Sequence, residues 1–218
     1  MARKPKKPDV AKMESFILLD RTGSMQGKWT EAVRGVNAYV KNLDGQADNR
    51  VTLVVFDLHN GVQFDVLRHS VAAKDWTDFR EEEAPPRGLT PLLDALVRIC
   101  AMAEQQNCDK TVLVVMTDGE ENSSREATKD TAKAALDRMK SKGWQVVFLG
   151  ADFDAFGQAM TVGVLRGQTI SVTPQNLSHT MGVAAFRATS YLHAGSDMAW
   201  TDEDRDSAGE KKIVKPRR

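Results

Sequence analysis

The sequence has few cysteines, no long hydrophobic run and no excess of one charge, and each scarcity excludes a class of protein. Its only cysteines, Cys100 and Cys108, do not form a CxxC pair of the kind that binds metals. No stretch approaches the roughly 20 apolar residues that a membrane-spanning helix needs. The basic N-terminal segment is not followed by an apolar stretch of signal-peptide length. We therefore expect a cytoplasmic protein with reduced thiols and no membrane partner.

The charges balance over the whole chain but are unevenly distributed. Lysine plus arginine and aspartate plus glutamate each number 30, so the net charge does not indicate binding to nucleic acid or to an acidic membrane. Residues 1–13 and 195–218 are predicted to be solvated tails, the first basic and the second polar and basic. Residues 14–194 are predicted to form one globular domain. The basic residues of the two tails are Arg3, Lys4, Lys6, Lys7 and Lys12, and Lys211, Lys212, Lys215, Arg217 and Arg218.

Short apolar segments that are rich in β-branched or aromatic residues recur along the predicted domain. Buried parallel strands have this composition. A further segment, residues 61–67, follows one of them closely and alternates apolar with polar residues, which predicts an antiparallel hairpin at a sheet edge. The other predicted strands are residues 15–19, 51–56, 111–116, 144–150 and 169–172.

Helical patterns separate most of these strands, because apolar residues recur three and four positions apart. Ahead of one pattern, Ser123 and Glu126 have the spacing of a capping box, and Gly143 stands where that helix should end. The patterns cover residues 29–43, 91–103, 132–139 and 174–192.

The alternation of strands and helices predicts an α/β fold. We expect a Rossmann-like, open and mostly parallel sheet of six strands, with one antiparallel edge strand and helices on both faces. Ligands of such sheets bind beyond the carboxyl ends of the strands. Functional residues are therefore expected just after strands.

Three segments carry small side chains with oxygen atoms, either in loops that follow predicted strands or at the start of the helix that comes next. DRTGSM contains Asp20, Thr22 and Ser24, GLTPLLDA contains Thr90, and MTDGEEN contains Asp118. Mg²⁺ prefers six oxygen ligands at about 2.0–2.1 Å and commonly retains water among them. These hydroxyls and carboxylates meet that demand, so the five residues form a candidate site for Mg²⁺, with Mn²⁺ as the alternative metal.

Each of these positions also has a structural explanation when it is considered alone. Thr90 precedes a proline and is suited to cap a helix, and Asp118 before glycine is typical of a turn. Asp20 is suited to cap its own loop. Their occurrence together, in the order that one site needs, favours the functional interpretation.

The three segments resemble the metal-ion-dependent adhesion site of von Willebrand factor type A domains. The first part of that motif is usually D-x-S-x-S, and here Thr22 replaces the first serine and keeps its hydroxyl. The resemblance covers approximately residues 14–192. Residues 150–164, GADFDAFGQAMTVGV, are similar to small stand-alone bacterial and phage members.

The resemblance implies a division of roles among the five residues. Ser24 and Thr22 would ligate the metal, and Thr90 would bind it directly or through water. Asp20 and Asp118 would act mainly through hydrogen bonds and bridging waters. A metal held mainly by neutral hydroxyls keeps positive charge and an open position, which a partner's Glu or Asp can fill.

The function implied by the resemblance is a non-enzymatic protein-interaction module. Its partner would be a protein that offers Glu or Asp to the metal, such as an AAA+ ATPase or a component of a viral or bacterial assembly. The location would be the cytoplasm, or the host cytoplasm or virion for a phage-encoded chain.

Two other functions remain open. Asp20 at a strand end also matches the nucleophile of a Mg²⁺-dependent, haloacid-dehalogenase-like phosphatase, although Thr22 stands where that family has a second aspartate. An assembly or nucleic-acid accessory protein that uses its basic tails is the other alternative. GSMQGKW resembles a P-loop, but Gly23 and Gly27 are one residue too close and Trp29 replaces the Ser or Thr, so nucleotide binding by that motif is excluded.

Overall fold

The computed structural model describes residues 11–45, 47–106 and 108–214. Of the predicted tails, residues 1–10 and 215–218 lie outside the described residues, and the first strand already begins at Lys12. The strands are β1 Lys12–Asp20, β2 Asp48–Leu58, β3 Val62–Ala72, β4 Thr111–Thr117, β5 Gln145–Ala151 and β6 Thr169–Val172.

The six strands form one sheet in the order β3-β2-β1-β4-β5-β6. All neighbouring strands pair in parallel except β2 and β3, which pair antiparallel at one edge. The predicted fold class, with its single antiparallel edge strand, is therefore confirmed.

Helices cover both faces of the sheet. Successive residues of β1 point to opposite faces. Phe16 and Leu18 pack with the helices of residues 92–106 and 129–141, whereas Ile17 and Leu19 pack with those of residues 29–41 and 177–194. No helix among the described residues has both the length and the apolar content that a membrane crossing requires. The helices are α1 Trp29–Lys41, α2 Leu92–Gln106, α3 Lys129–Ser141, α4 Phe156–Thr161, α5 Leu177–Ala194, α6 Asp202–Ala208 and α7 Glu210–Ile213.

The predicted capping box at Ser123 and Glu126 is wrong. α3 begins after Thr128, whose Oγ1 accepts the backbone N–H of Thr131 at 3.2 Å. The buried carboxylate of Asp94 on α2 accepts three backbone N–H groups of the loop before α3, at 2.7 to 3.0 Å. This loop is therefore held in a non-helical conformation by a residue that is distant in sequence.

The segment from 195 to 214 is not a solvated tail, contrary to the prediction. It contains α6 and α7, and Met198 and Trp200 are buried in the hydrophobic core. Glu210 is also buried, and its Oε1 accepts the backbone N–H of Ser171 on β6 at 3.0 Å. The segment has the composition of a tail because most of its residues are charged or polar. These charged residues lie mainly on the exposed side of two short helices, while its few apolar residues pack into the core.

Replacement of Trp200 tests whether the C-terminal segment belongs to the core. Trp200→Ala should lower the free energy of unfolding by about 3 kcal/mol, because it removes a buried aromatic side chain. Urea unfolding followed by circular dichroism measures this loss. The matched control is Phe186→Ala, because Phe186 is 70% exposed whereas Trp200 is 6% exposed; its effect should stay below about 0.5 kcal/mol. An equal loss of unfolding free energy in the two variants would contradict the packing of Trp200 in the core.

Candidate metal site

The candidate site lies at the carboxyl ends of β1 and β4, the two central strands. β1 ends at Asp20 and β4 at Thr117, and the two strands pair directly. The loops that follow them therefore leave the sheet at the same edge. The first loop continues into a 3₁₀ helix, Gly23–Lys28. The segment before α2 returns to this edge and brings Thr90 to the first loop.

Asp20 is a fully buried carboxylate with both oxygens hydrogen-bonded. Its Oδ1 accepts the backbone N–H of Thr22 at 2.7 Å, and its Oδ2 accepts the hydroxyl of Thr117 at 2.6 Å. Burial raises the pKa of the Asp20 carboxyl to about 7, although these hydrogen bonds lower it, and the nearby charge of Asp118 raises it further. Asp20 thus ties the first loop to β4.

Three hydroxyl oxygens form a row across the site. Thr22 Oγ1 lies 3.1 Å from Ser24 Oγ and 3.4 Å from Thr90 Oγ1. Neighbouring ligands of an octahedral Mg²⁺ with bonds of 2.0–2.1 Å are about 2.9 Å apart. The row therefore has nearly the spacing of adjacent ligands. Ser24 Oγ also donates to Asp118 Oδ1 at 2.6 Å, so the structure brings all five predicted residues together.

The chemistry of the donor set fits a hard divalent cation. Among the described residues, no three His, Cys, Asp or Glu side chains cluster in a way that suits a metal. The site offers hydroxyls backed by two carboxylates instead, which are oxygen donors of the type that Mg²⁺ and Mn²⁺ accept. Thr22 and Thr90 are buried whereas Ser24 is exposed. The row therefore opens to solvent at its Ser24 end.

Lys28 contacts the same site, which the sequence analysis did not predict. Its Nζ donates to Asp118 Oδ2 at 2.7 Å and lies 3.5 Å from the backbone oxygen of Ser24. The side chain of Asp118 is fully buried, and that of Lys28 is only 19% exposed. Both carboxylate oxygens of Asp118 therefore have a donor.

The loop that carries Asp118 is held by two further residues that the sequence analysis missed. Glu121 accepts backbone N–H groups from the start of α2 and from its own loop, at 2.6 to 2.9 Å. Gln158 on α4 accepts the N–H of Glu121 at 2.7 Å and donates to the carbonyl of Gly119 at 3.3 Å. Glu121 lies within the motif MTDGEEN, which is the one signal that pointed to it.

A buried ion pair holds the segment that leads to Thr90. Arg21 Nε donates to Asp57 Oδ2 at 2.5 Å, and the backbone oxygen of Arg21 accepts the N–H of Arg87 at 2.8 Å. Gly88 has a φ of 71°, and a Cβ there would lie 2.4 Å from the carbonyl oxygen of Leu58. A glycine is needed here because the segment passes against β2 in a left-handed conformation.

Comparison with known proteins identifies one sequence family. The model of the von Willebrand factor type A domain matches residues 16–168. No curated protein matches the chain in sequence.

Solved structures share the fold at low sequence identity. Proximal thread matrix protein 1 from the mussel byssus has a TM-score of 0.64 at 14% identity, over 83% of this chain and 47% of its own. The vWF domain of a type V pili tip protein from Porphyromonas gingivalis has a TM-score of 0.63 at 12% identity, over 88% of this chain and 99% of its own. Manganese-loaded TRAP protein from Plasmodium vivax has a TM-score of 0.55 at 15% identity, over 78% of this chain and 71% of its own. The chain thus spans about half of the mussel protein.

Ionisation of Asp20 should destabilise the metal-free protein. The pKa rises from an ordinary value of 3.8 to about 7 on folding. The folded state therefore binds this proton more tightly, and its stability falls as the pH rises from about 4 to 7. In chelator, Asp20→Asn should be more stable than the wild type at pH 8, by roughly 2–4 kcal/mol.

Urea unfolding at pH 8 and pH 5 tests this pH dependence. The advantage of the variant should shrink at pH 5, because the wild-type carboxyl is then largely protonated. Asparagine keeps an acceptor for the N–H of Thr22, and the Thr117 hydroxyl can donate to the carbonyl of Gly119, 3.2 Å away. Glu14, whose pKa is also raised by burial, is common to both proteins and cancels. A difference that is the same at both pH values would contradict the prediction.

Proposed function

Because the chain belongs to the von Willebrand factor type A domain family, we propose that it is a protein-interaction module whose cation site binds an acidic side chain of a partner. The cation is Mg²⁺, with Mn²⁺ as the alternative. The observation that carries this proposal is the row formed by Thr22, Ser24 and Thr90, whose oxygens have nearly the spacing of adjacent metal ligands. Two buried carboxylates stand behind the row.

Each residue has a distinct part in the proposed site. Ser24 and Thr22 would ligate the cation, and Thr90 would reach it directly or through water. Ser24 already donates its proton to Asp118, so its oxygen would face a cation with its lone pairs, one of which accepts the hydroxyl of Thr22 in this structure. Asp20 keeps the first loop in place through Thr22. The carboxylates thus orient the hydroxyls and contribute negative charge from behind.

The surface around the opening is suited to an acidic partner. Neutral hydroxyls leave most of the positive charge on the cation, and a carboxylate from a partner protein can complete its coordination. On the neighbouring segment, the side chain of Arg87 is 41% exposed and Leu89 is 54% exposed. This segment adjoins the first loop, because the N–H of Gly23 donates to the carbonyl of Gly88 at 3.2 Å. A partner could therefore also contact the exposed part of Arg87, which lies 3.4 Å from Asp57, and the apolar side chain of Leu89, which favours an acidic residue next to an apolar one.

One of the similar structures supports the choice of cation. The TRAP structure is manganese-loaded, which favours a divalent cation in this fold. At 15% identity, the fold is what the two proteins share. An AAA+ ATPase or a viral or bacterial assembly remains our proposal for the partner, and a bacterial or phage source is likewise proposed. We also propose a cytoplasmic location, or the host cytoplasm or virion for a phage protein, because Cys100 and Cys108 are both free.

The geometry favours binding over phosphatase chemistry. A phosphoryl-accepting nucleophile must reach the phosphorus atom, yet Asp20 is 0% exposed and both its oxygens accept hydrogen bonds. We therefore propose that the chain is not an enzyme. An accessory function of the basic tails remains the other alternative.

Direct titration should detect the cation site. The wild type should bind Mg²⁺ in isothermal titration calorimetry, and Ser24→Ala should weaken this binding at least about tenfold, because it removes a proposed ligand. Ser190→Ala is the matched control: its hydroxyl lies on α5 and donates to the carbonyl of Phe186 at 3.2 Å. Unchanged affinity in Ser24→Ala would contradict the assignment.

Capture of partners should depend on the cation. Immobilised protein should retain a set of proteins from a cell lysate in Mg²⁺ or Mn²⁺, and chelator should release them while circular dichroism shows a folded domain. Ser24→Ala should retain none of that set, and Ser190→Ala should retain all of it. The same capture in chelator would overturn the proposal, and turnover of phosphate esters that Asp20→Asn abolishes would establish the phosphatase instead.

A further inference from the structure

Lys28 places a positive charge inside the candidate site. Its ammonium lies 2.7 Å from Asp118 Oδ2 and 3.5 Å from the carbonyl oxygen of Ser24. A lysine ammonium is strongly hydrated, and lysine side chains are mostly exposed. A side chain that is only 19% exposed therefore gives up much of its hydration to reach this carboxylate.

The ammonium compensates a charge that would otherwise be isolated. The side chain of Asp118 is fully buried, and within the part of the chain that the structure describes its other oxygen accepts only the neutral hydroxyl of Ser24. An unpaired buried carboxylate is strongly destabilising. Lys28 therefore supplies the positive charge that Asp118 needs.

A divalent cation on the hydroxyl row would meet the same need. Ser24 Oγ, a proposed ligand, lies 2.6 Å from Asp118 Oδ1, so a cation bound to this oxygen would be close to the carboxylate. The ammonium of Lys28 would then be near a double positive charge. Two cations in one small site repel each other, so they compete for Asp118.

We propose that Lys28 is an internal cation that competes with the divalent cation for Asp118 and leaves the site when that cation binds. The proposal rests on the proposed function and concerns regulation of the same site. Lys28 is the last residue of the 3₁₀ helix and is followed directly by α1. Its flexible four-carbon side chain can turn toward solvent without a change in the backbone. Lys28 thus raises the concentration of divalent cation that the site requires.

The test removes the charge of Lys28 and keeps much of its length. Isothermal titration calorimetry with Mg²⁺ alone compares the wild type, Lys28→Met and Lys41→Met. Lys41 is the matched control because it lies on α1 and forms an ion pair with Asp78 in which both side chains are largely exposed. Lys28→Met should bind Mg²⁺ roughly tenfold more tightly than the wild type, since a partly buried, charge-assisted hydrogen bond no longer opposes binding. Lys41→Met should match the wild type.

Unfolding experiments separate competition from a purely structural ion pair. In chelator, Lys28→Met should be less stable than the wild type because Asp118 has lost its counter-charge. At saturating Mg²⁺ the two proteins should be equally stable, because Lys28 has left Asp118 in the wild type as well. A structural ion pair would leave the variant less stable under both conditions.

The outcomes distinguish this proposal from the proposed function. Equal or weaker Mg²⁺ binding by Lys28→Met overturns competition, while the cation site survives if Ser24→Ala still loses affinity. Binding by Lys28→Met without measurable binding by the wild type supports competition. Absence of binding by every protein, with Mn²⁺ as well as Mg²⁺, overturns both proposals.

Discussion

The buried carboxylate of Asp20 is the constraint on which the site depends. It ends a central strand, and its two oxygens tie the backbone of Thr22 to the hydroxyl of Thr117 on the neighbouring strand. The hydroxyl row has its spacing because this anchor fixes where the first loop begins. Burial of a charge at this position is unfavourable by itself, so folding alone would not select an aspartate here. The proposed cation site would explain why one is present.

Charge compensation connects the anchor to the rest of the site. Asp20 and Asp118 are both buried, and the negative charge of Asp118 adds to the rise in the pKa of the Asp20 carboxyl that burial causes. One hydroxyl and one backbone N–H donate to Asp20, whereas Asp118 also pairs with the ammonium of Lys28. Positive charge near the row therefore affects the stability of this region, and it would also set the affinity of the proposed site for a cation.

Much of the fold follows from local sequence properties, but several contacts do not. Strand composition is a local signal, and so are the oxygen-bearing residues after β1 and β4 and before α2. The sheet was therefore predictable, as was the proximity of the five candidate residues. Lys28 and Asp118 are separated by 90 residues, and only the folded chain brings them together. Asp94 is likewise distant in sequence from the loop whose backbone N–H groups it accepts, and these hydrogen bonds explain why α3 does not begin at the predicted capping box. Trp200 lies in a charged segment whose few apolar residues pack only in the tertiary structure.

The contact between Glu210 and β6 also affects how the molecule can associate. An edge strand presents backbone groups that can pair with strands of other chains. Here the carboxylate of Glu210 takes the N–H of Ser171, and the N–H of Thr173 donates to the carbonyl of Ala208 at 3.0 Å. A foreign strand could add at β6 only after α6 and α7 had detached. Intermolecular β-sheet growth from this edge is therefore coupled to local unfolding of the C-terminal helices.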